Sequence, residues 1–358
     1  MAIKYVFTEP PGHGQTIDIA PGVKWLRSPL PLSLNHINCY LLQDGDGWCV
    51  VDTGMNTDAA RQQWDSVIGE ALGGAPVTRV IGTHHHPDHI GLAGWLCERF
   101  QAPFYMTEGE YFYLRTFAAN QREHAYWETE QFFSRAGMSE NSRKELFGHS
   151  DFSHMTTVPP ASYHRLRDRQ MMRIGNYDWQ AITTRGHAPE HLSLYCAELH
   201  LLLAADQVLP KITPNINVGP TIPDDNPLAD WFEGHRKLLE CVPDNVTVLP
   251  SHQLPFTGLH YRIRAIIEHH HERLETLVNL CENPVCAQDV TRQLFARELN
   301  AFQNFLAVGE TIAHLHYLLD HGRVTRTLEN NIWRYLRVPD VKGENSDDKY
   351  DEERCSHD

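Results

Sequence analysis

Apolar and polar residues alternate along most of the chain in a regular way. Between Cys39 and about Pro255, short apolar runs take turns with stretches in which apolar residues recur every three or four positions. The first pattern is typical of buried strands, and the second of helices with one buried face. We therefore expect an α/β protein built from layers of sheet and helix. The predicted strands are 48–52, 78–83, 177–184, 192–196, 199–204 and 246–249.

Two amphipathic helices are predicted close to the first strands. Asn56 is a candidate N-cap for a helix that buries Trp64 on its apolar face. Residues 91–100 form the second, with Leu92 and Leu96 directed inward. Each helix follows a strand, as expected where helices cover a sheet.

The pattern changes at three points, which suggests a division of the chain. Residues 107–160 lose the strand rhythm and carry aromatic residues at helical spacing, so we expect a helical insertion in a catalytic domain spanning 1–260. Residues 261–338 show helical patterns and then a possible strand after Gly322, which predicts a small C-terminal domain. Residues 339–358 are acidic and almost free of apolar side chains, and this predicts a solvated tail.

The charge balance argues against a nucleic-acid partner. The 358 residues include 31 Lys and Arg against 46 Asp and Glu, which gives a formal charge of −15. A protein that binds phosphate backbones gains most of its affinity from Lys and Arg, and no dense basic run is present. We expect a small-molecule substrate instead.

We also expect a cytoplasmic protein with no membrane partner. Residues 1–12 lack an apolar stretch behind a positive cluster, and no run approaches the roughly 18 apolar residues that predict a membrane span. The eight cysteines are scattered, without a CxxC pair, and most lie in apolar segments. This is the pattern of buried thiols in a reducing compartment.

Histidine and aspartate residues follow four of the predicted strands. Four histidines and an aspartate lie in the turn from Thr83 to Gly91, where a strand passes into a helix, and three of the histidines, His84, His86 and His89, are candidate ligands. His187, Asp206 and His252 each come soon after an apolar strand of their own. Because the ends of neighbouring strands can lie along one sheet edge, these loops could form one pocket. Such a pocket would contain five histidines and two aspartates, namely His84, His86, Asp88, His89, His187, Asp206 and His252.

This group of side chains predicts a catalytic metal site. Nitrogen and carboxylate ligands without thiolate suit zinc, manganese or iron. The number of ligands is sufficient for two divalent ions with coordination positions left open for water, and zinc is the expected metal. An open coordination position is typical of catalytic sites.

The motif His84-x-His86-x-Asp88-His89 resembles that of the metallo-β-lactamase superfamily. The resemblance extends over residues 20–255, with Asp52 in Val51-Asp52-Thr53-Gly54 before the motif and His187, Asp206 and His252 after it. It implies an α/β fold, a four-layer αββα metallo-β-lactamase sandwich with a helical insertion and a small C-terminal winged-helix-like domain. A further implication is the ligand set. His84, His86 and His187 would hold the first metal, Asp88, His89 and His252 the second, and Asp206 both.

Asp52 would then orient a histidine ligand from behind, as the resemblance implies. Two positions depart from the family's usual pattern, since Ala205 and Ser251 stand where glycine is common. Neither departure removes a ligand. The diiron flavoproteins of this superfamily have glutamate at the position of His86, which argues against that branch.

The same resemblance implies hydrolysis by a water activated between two metal ions, with Asp88 orienting the water and moving its proton. Our main hypothesis is an enzyme that hydrolyses a small ester, thioester, lactone or amide. His191 and Lys211 are possible substrate contacts, while His85 is expected to be structural. The alternatives are an RNA or DNA phosphodiesterase, a mononuclear iron persulfide dioxygenase and a non-catalytic regulator. The C-terminal helices could also form a homodimer interface.

Overall fold

The computed structural model describes residues 2–32, 34–119, 126–148, 153–295 and 298–339. The predicted acidic tail lies outside these described residues, apart from Pro339. Parts of the predicted insertion, residues 120–125 and 149–152, lie outside them as well.

Strands account for much of the first three quarters of the described chain. In chain order they are β1 (Lys4–Tyr5), β2 (Ile17–Ala20), β3 (Val23–Pro29), β4 (His36–Asp44), β5 (Gly47–Val51), β6 (Val77–Ile81), β7 (Phe104–Met106), β8 (His164–Arg165), β9 (Met171–Ile174), β10 (Tyr177–Thr184), β11 (His191–Cys196), β12 (Leu201–Ala205), β13 (Thr247–Pro250), β14 (Phe256–Thr257), β15 (Val324–Glu329) and β16 (Ile332–Arg337).

These strands form two large sheets and a hairpin. The first sheet has the order β2-β3-β4-β5-β6-β7-β8, and the second has the order β1-β14-β13-β12-β11-β10-β9. The pairs β5–β6 and β12–β13 are parallel, so within each pair the carboxyl ends lie on the same side. Strands β15 and β16 form a separate antiparallel hairpin.

Helices cover the outer faces of the sheets and make up most of the C-terminal segment. They are α1 (Asp58–Ser66), α2 (Pro87–Ile90), α3 (Ala93–Phe100), α4 (Glu108–Ala119), α5 (Trp127–Arg135), α6 (Glu140–Gly148), α7 (Pro227–Cys241), α8 (Leu259–Leu280), α9 (Ala287–Leu294) and α10 (Ala301–Asp320). A π-helical turn, Val67–Ala71, continues α1, and Ser153–Met155 forms a 3₁₀ turn. No helix among the described residues is both long and apolar enough to cross a membrane.

Three apolar layers hold the sheets and helices together. Between the two sheets, Trp25 and Val51 of the first pack near Trp179 and Leu203 of the second. On the outer face of the first sheet, Trp64 of α1 belongs to a buried cluster with the strands. Helices α7, α8 and α10 cover the second sheet with the largest cluster. The predicted four-layer αββα arrangement is therefore confirmed.

The predicted N-cap of α1 was wrong by one residue. Thr57 caps the helix, because its side-chain oxygen accepts a hydrogen bond from the Ala60 amide at 3.1 Å. Asn56 instead accepts hydrogen bonds from Arg61 and donates one to the carbonyl of His154, at 2.9 Å. Its side chain thus ties the start of α1 to the end of the helical insertion.

Strand boundaries differ from the predicted ones by a few residues. The strand predicted at 78–83 ends at Ile81, because Gly82 and Thr83 already belong to the loop that carries the histidines. The strand predicted at 199–204 is shifted to 201–205, since His200 has a φ of 51° and turns the chain before the strand begins. Among the described residues, α4, α5 and α6 fall within the range 107–160 of the predicted insertion, and α8 begins at Leu259, two residues before the predicted start of the C-terminal domain.

Candidate metal centre

The candidate centre lies where five strands end, at one edge of the paired sheets. In the first sheet, β5 is followed by Asp52 and β6 by residues 83–89. In the second, β10, β12 and β13 are followed by His187, Asp206 and His252. Each sheet therefore supplies part of the same pocket.

A single helical turn presents the middle of the histidine motif. His86 has an extended backbone, and Pro87 occupies the first position of α2, where its fixed φ suits a helix start. The amide of His89 donates to the carbonyl of His86 at 3.0 Å and closes the turn. This reversal brings Asp88 and His89 back toward His84.

Four side chains form a first cluster, which is His84, His86, His187 and Asp206. The Nε2 atom of His84 lies 2.9 Å from Nδ1 of His86 and 3.3 Å from Nε2 of His187. Nε2 of His187 is 3.4 Å from Oδ2 of Asp206. Three ring nitrogens and a carboxylate thus converge on one point.

Two histidines of the first cluster, His84 and His86, are held in the form that binds metals. Burial lowers the pKa of His84 well below its usual value, and the neighbouring histidines lower it further. The pKa of His86 is lowered well below its usual value by the same causes. Both rings are therefore neutral near pH 7, and a neutral imidazole has the lone pair that a metal ligand needs.

A second cluster consists of Asp88, His89 and His252. Oδ2 of Asp88 lies 3.5 Å from Nε2 of His252 and 3.8 Å from Nε2 of His89. Burial acts to lower the pKa of His89, but the carboxylates of Asp206, Asp88 and Asp52 outweigh it and raise that pKa well above the usual value. The negative charge of these carboxylates would equally favour a bound cation.

Asp206 lies between the two clusters. Its Oδ2 atom is 3.4 Å from Nε2 of His187 and 3.5 Å from Nε2 of His89, while its Oδ1 atom is 3.5 Å from Nε2 of His252. Burial would raise the pKa of Asp206, but His89 and His252 overcome this effect and hold it well below its usual range. An ionised carboxylate with one oxygen toward each cluster is placed to contact ions in both.

The residues of the centre suit divalent metal ions. All seven side chains offer nitrogen or carboxylate oxygen, which suits zinc, manganese or iron, and none offers sulfur. Nε2 of His89 and Oδ1 of Asp206 are buried without a hydrogen-bond partner in the described structure. Since buried polar atoms are normally paired, two unpaired atoms among these seven side chains indicate a place for ions.

A buried aspartate orients one ring from behind. Oδ2 of Asp52 lies 2.7 Å from Nδ1 of His89, and the same carboxylate accepts hydrogen bonds from the amide and hydroxyl of Thr83 at 2.9 Å and 2.8 Å. Asp52 has a φ of 59°, which is uncommon outside glycine. Its placement leaves Nε2 of His89 facing the centre.

Backbone carbonyls orient two further rings. Nδ1 of His187 donates to the carbonyl of Asn215 at 2.7 Å, and Nδ1 of His252 donates to that of His36 at 2.8 Å. Donation by Nδ1 leaves Nε2 as the lone-pair nitrogen in each ring, and such partners fix the tautomer of metal-binding histidines.

Strand β4 anchors the loop that carries His252. The Asn38 side chain donates to the carbonyl of Pro250 at 2.8 Å and to that of Gln253 at 2.9 Å. The Tyr40 hydroxyl also donates to the Pro250 carbonyl, at 2.8 Å. A strand of the first sheet therefore fixes a loop of the second. This contact holds His252 of the second cluster in place relative to the first sheet.

One carboxylate of helix α4, in the insertion, contacts two loops that carry histidines of the centre. These are the loop after β6 and the loop after β10. Glu110 is fully buried and accepts hydrogen bonds from the amide of His85 at 2.9 Å and from the amide of Glu190 at 2.7 Å. Its Oε2 atom also lies 2.6 Å from Nδ1 of His85. His85 thus has the structural contact expected of it.

The two predicted substrate contacts lie in different surroundings. His191 is fully buried, with its ring centre 5.0 Å from that of His84 and both ring nitrogens without a partner in the described structure. This burial favours support of the His84 ring over contact with substrate. Lys211 is exposed, its amide donates to Gln253 at 3.0 Å, and its ammonium lies over the Tyr5 ring. Both roles remain predictions.

The sequence reasoning missed several groups that hold the centre. Thr83 could have been found, because it is a hydroxyl directly before the motif. Glu110 gave no signal beyond a lone carboxylate in a predicted helix. The carbonyls of His36 and Asn215 gave none, because every residue has a carbonyl and only the fold selects which one is used.

Two family models match the chain. The model for the metallo-β-lactamase superfamily matches residues 32–253, and the model for a metallo-β-lactamase-like C-terminal domain matches residues 274–338. The second match lies inside the predicted C-terminal domain of 261–338. The start of that domain at residue 261 stays a prediction.

Similar proteins come from several bacteria. The Bacillus subtilis (strain 168) protein named "Probable metallo-hydrolase YqjP" is 24% identical over 322 residues, which is 86% of this chain and 95% of that protein. The crystal structure of a β-lactamase domain protein from Burkholderia ambifaria is 37% identical with a TM-score of 0.88, covering 94% of this chain and 98% of that one. A metallo-β-lactamase family protein from Thermus thermophilus, TTHA1429, is 29% identical with a TM-score of 0.75, covering 90% of this chain and all of that one, 100%.

The chain belongs to the metallo-β-lactamase superfamily. The family model spans the histidine motif, and the Burkholderia structure agrees over nearly the whole chain. The predicted family and fold are confirmed, and so is membership of a superfamily of metal-binding hydrolases. The buried cluster of histidine and aspartate is where this chain could hold the metal.

Proposed function

We propose that the protein is a dinuclear metal-dependent hydrolase acting on a small ester, thioester, lactone or amide. The observation that carries the proposal is the position of Asp206, with Oδ2 3.4 Å from His187 and Oδ1 3.5 Å from His252. One carboxylate facing two complete ligand groups is an arrangement for two ions rather than one. The family match and the metallo-hydrolase relatives support the same class of activity.

The ligand roles follow the two clusters. His84, His86 and His187 would hold the first ion, Asp88, His89 and His252 the second, and Asp206 both. Two bound ions would polarise the scissile carbonyl and lower the pKa of the attacking water. The Nδ1 partners of His89, His187 and His252 keep the ligand nitrogens pointing inward, so that little reorganisation is needed during the reaction.

Asp88 is the proposed proton carrier. Its side chain is 20% exposed, against 9% for Asp206, so it is the carboxylate of the centre more open to a substrate and water. Burial would raise its pKa, but His89 and His252 lower it below the usual value, so it is ionised at neutral pH. An ionised carboxylate can orient a water and take its proton. The substrate is proposed to be small because the chain has a net charge of −15, which disfavours polyanions.

Metal analysis combined with a substrate panel tests the proposal. Metal content is measured by mass spectrometry on protein purified without added metal. Activity is measured on a thioester, a lactone, an amide and bis-p-nitrophenyl phosphate, before and after chelation and with zinc, manganese or iron restored. We expect two ions per chain and metal-dependent acyl hydrolysis that is lost in Asp88→Asn and kept in Asp178→Asn, a change at an exposed residue of β10. Cleavage of the phosphodiester alone, or a single iron with no hydrolysis, would overturn it.

A further inference from the structure

Helix α10 of the C-terminal segment contacts the loop that leaves Asp206. The amide of Val218 donates to the carbonyl of Gly309 at 3.1 Å, which joins the loop directly to the helix backbone. A Cβ atom on Gly309 would lie only 3.0 Å from Cβ of Asn217 and 3.1 Å from the Val218 carbonyl. Glycine at this position therefore allows the loop and the helix to touch.

The next residue of the helix holds the loop by its side chain. Oε2 of Glu310 accepts a hydrogen bond from Nδ2 of Asn215 at 3.0 Å. The other end of the Asn215 amide, Oδ1, accepts from Nδ2 of Asn217 at 3.2 Å. Both ends of the Asn215 side chain are thus fixed.

Asn215 is also the residue that orients a ligand of the first cluster. Its carbonyl accepts from Nδ1 of His187 at 2.7 Å, and Nε2 of His187 faces His84 and Asp206. Two hydrogen bonds through one residue therefore connect Glu310 with His187. This path runs from the C-terminal helix to the centre.

Glu310 is half-buried, so part of its side chain is removed from water. Burial raises the pKa of its carboxyl, and the attraction of Arg273 and the hydrogen bond from Asn215 only partly oppose this. Its carboxylate makes no ion pair of hydrogen-bond length with the described residues. A polar group that is partly removed from water needs a hydrogen-bond partner, and the Asn215 amide provides one for this carboxylate at 3.0 Å.

We propose that Glu310 is a positioning residue for His187, and that the C-terminal segment thereby completes the metal centre. Glu310 holds the Asn215 side chain, the Asn215 carbonyl holds the His187 ring, and the ring keeps Nε2 toward the first ion. This inference rests on the metal site of the proposed function but not on the substrate proposed there.

The test compares Glu310→Ala and Glu310→Gln with a matched control. Asp320→Ala is the control, because Asp320 lies on the same helix and accepts from the Asn226 side chain at 2.8 Å, far along the helix from Glu310. Metal affinity is measured by chelator competition. The Nδ1 proton of His187, assigned by comparison with His187→Gln, is followed by NMR in the metal-free protein.

We expect Glu310→Ala to weaken the binding of one of the two ions by about tenfold, the lower end of the range for groups behind a ligand. The His187 proton signal should shift or broaden in the same variant. Glu310→Gln should restore both, since an amide oxygen can accept the same hydrogen bond. Asp320→Ala should lower stability without changing metal affinity.

Three results would overturn the inference. The first is that Glu310→Ala leaves both the metal affinity and the His187 signal unchanged. The second is that Glu310→Gln loses as much metal affinity as Glu310→Ala. The third is that Asp320→Ala loses as much metal affinity as Glu310→Ala. If Glu310→Ala does not fold, Asn215→Ala removes the same contact from the loop side and is expected to give the same loss. Because the NMR measurement needs no substrate and no metal, a failure of the proposed function would not be mistaken for a failure of this inference.

Discussion

Asp206 is the side chain on which both clusters depend. Its two oxygens face different histidines, so its loss affects both halves of the centre. Asparagine has nearly the same shape but no charge and one oxygen fewer. Asparagine can therefore keep the local packing, but it cannot present a charged oxygen to each cluster.

Asp206→Asn is expected to lose at least one equivalent of metal while the fold is kept. The loss of affinity should exceed the roughly 10- to 100-fold caused by changing groups behind a ligand, because Asp206 itself is proposed to be a ligand. Metal content by mass spectrometry and far-UV circular dichroism check the two parts. Normal metal content with normal activity in this variant would contradict the proposal that Asp206 contacts both ions.

Asp52 acts one step further from the ions. Asp52→Asn is expected to weaken metal binding by about 10- to 100-fold, because the charge that holds Nδ1 of His89 is removed. Asparagine tolerates the left-handed backbone at this position, where φ is 59°, so backbone strain should not contribute. Chelator competition measures the change, and Asp46→Asn, at an exposed turn, is the control. Equal affinities in the two variants would contradict an orienting role.

At this scale, the sequence predicted which side chains come together, but apart from Asp52 it did not predict the groups that support them. His187, Asp206 and His252 each follow an apolar strand, and that local pattern is visible in one sequence. The carbonyls of Asn215 and His36 are selected by the tertiary fold alone. Ala205 shows the same limit, since its φ of 46° explains why glycine is common there but could not be read from the residue itself.

Among the elements, helix α4 is linked directly to the two loops that carry His84 to His89 and His187. Its residue Glu110 accepts hydrogen bonds from His85 and Glu190, which belong to two different loops. The helix is therefore part of the support of the centre rather than an added surface feature. The sequence predicted a helical insertion here, but it could not predict which residue would face the loops.

Glu110→Gln is expected to destabilise the protein by about 1–3 kcal/mol. The carboxylate accepts hydrogen bonds from buried N–H groups through both oxygens, and the glutamine side chain would place an NH2 donor next to one of those N–H groups. Urea denaturation of the metal-free protein measures the effect. The neighbouring change Glu108→Gln removes only an exposed ion pair with Arg165 and should cost less than about 1 kcal/mol. Similar stabilities for the two variants would show that Glu110 is not the anchor of α4.

Another carboxylate, that of Asp44, joins the two sheets. It lies at the end of β4 that is remote from the metal centre. Asp44, at the end of β4, accepts from Thr78 at 2.7 Å and from the amide of Gly175 in the β9–β10 turn at 3.1 Å. It also pairs with Arg79 at 2.8 Å. Gly175 is needed for this approach, because a Cβ atom there would lie 2.1 Å from the carbonyl of Gln43.

This contact gives a prediction for the whole molecule's stability against acid. Burial alone would raise the pKa of Asp44, but the hydrogen bonds from Thr78 and Gly175 and the charge of Arg79 lower it below the usual value. A carboxyl with a lowered folded-state pKa stabilises the protein above its unfolded pKa of about 4, and this contribution disappears as pH falls through the folded pKa.

The stability difference between the wild type and Asp44→Asn should therefore be full at pH 6 and shrink as the pH falls below about 4. Urea denaturation of the metal-free protein across this range checks it, since the ligands of the centre also titrate. Asp46→Asn, in the same hairpin but exposed, should differ little from the wild type at any pH. A difference for Asp44→Asn that is constant across the pH range would contradict the prediction.

The pairing of β1 with β14 has a consequence for how the chain folds during synthesis. Lys4 and Tyr5 pair with Thr257 and Phe256, so β1 has no partner in this sheet until more than 250 further residues have been made. Until then its backbone groups are open to pairing with other chains. A ribosome-bound chain halted shortly after β14 has emerged should be the earliest in which the amides of β1 resist hydrogen exchange.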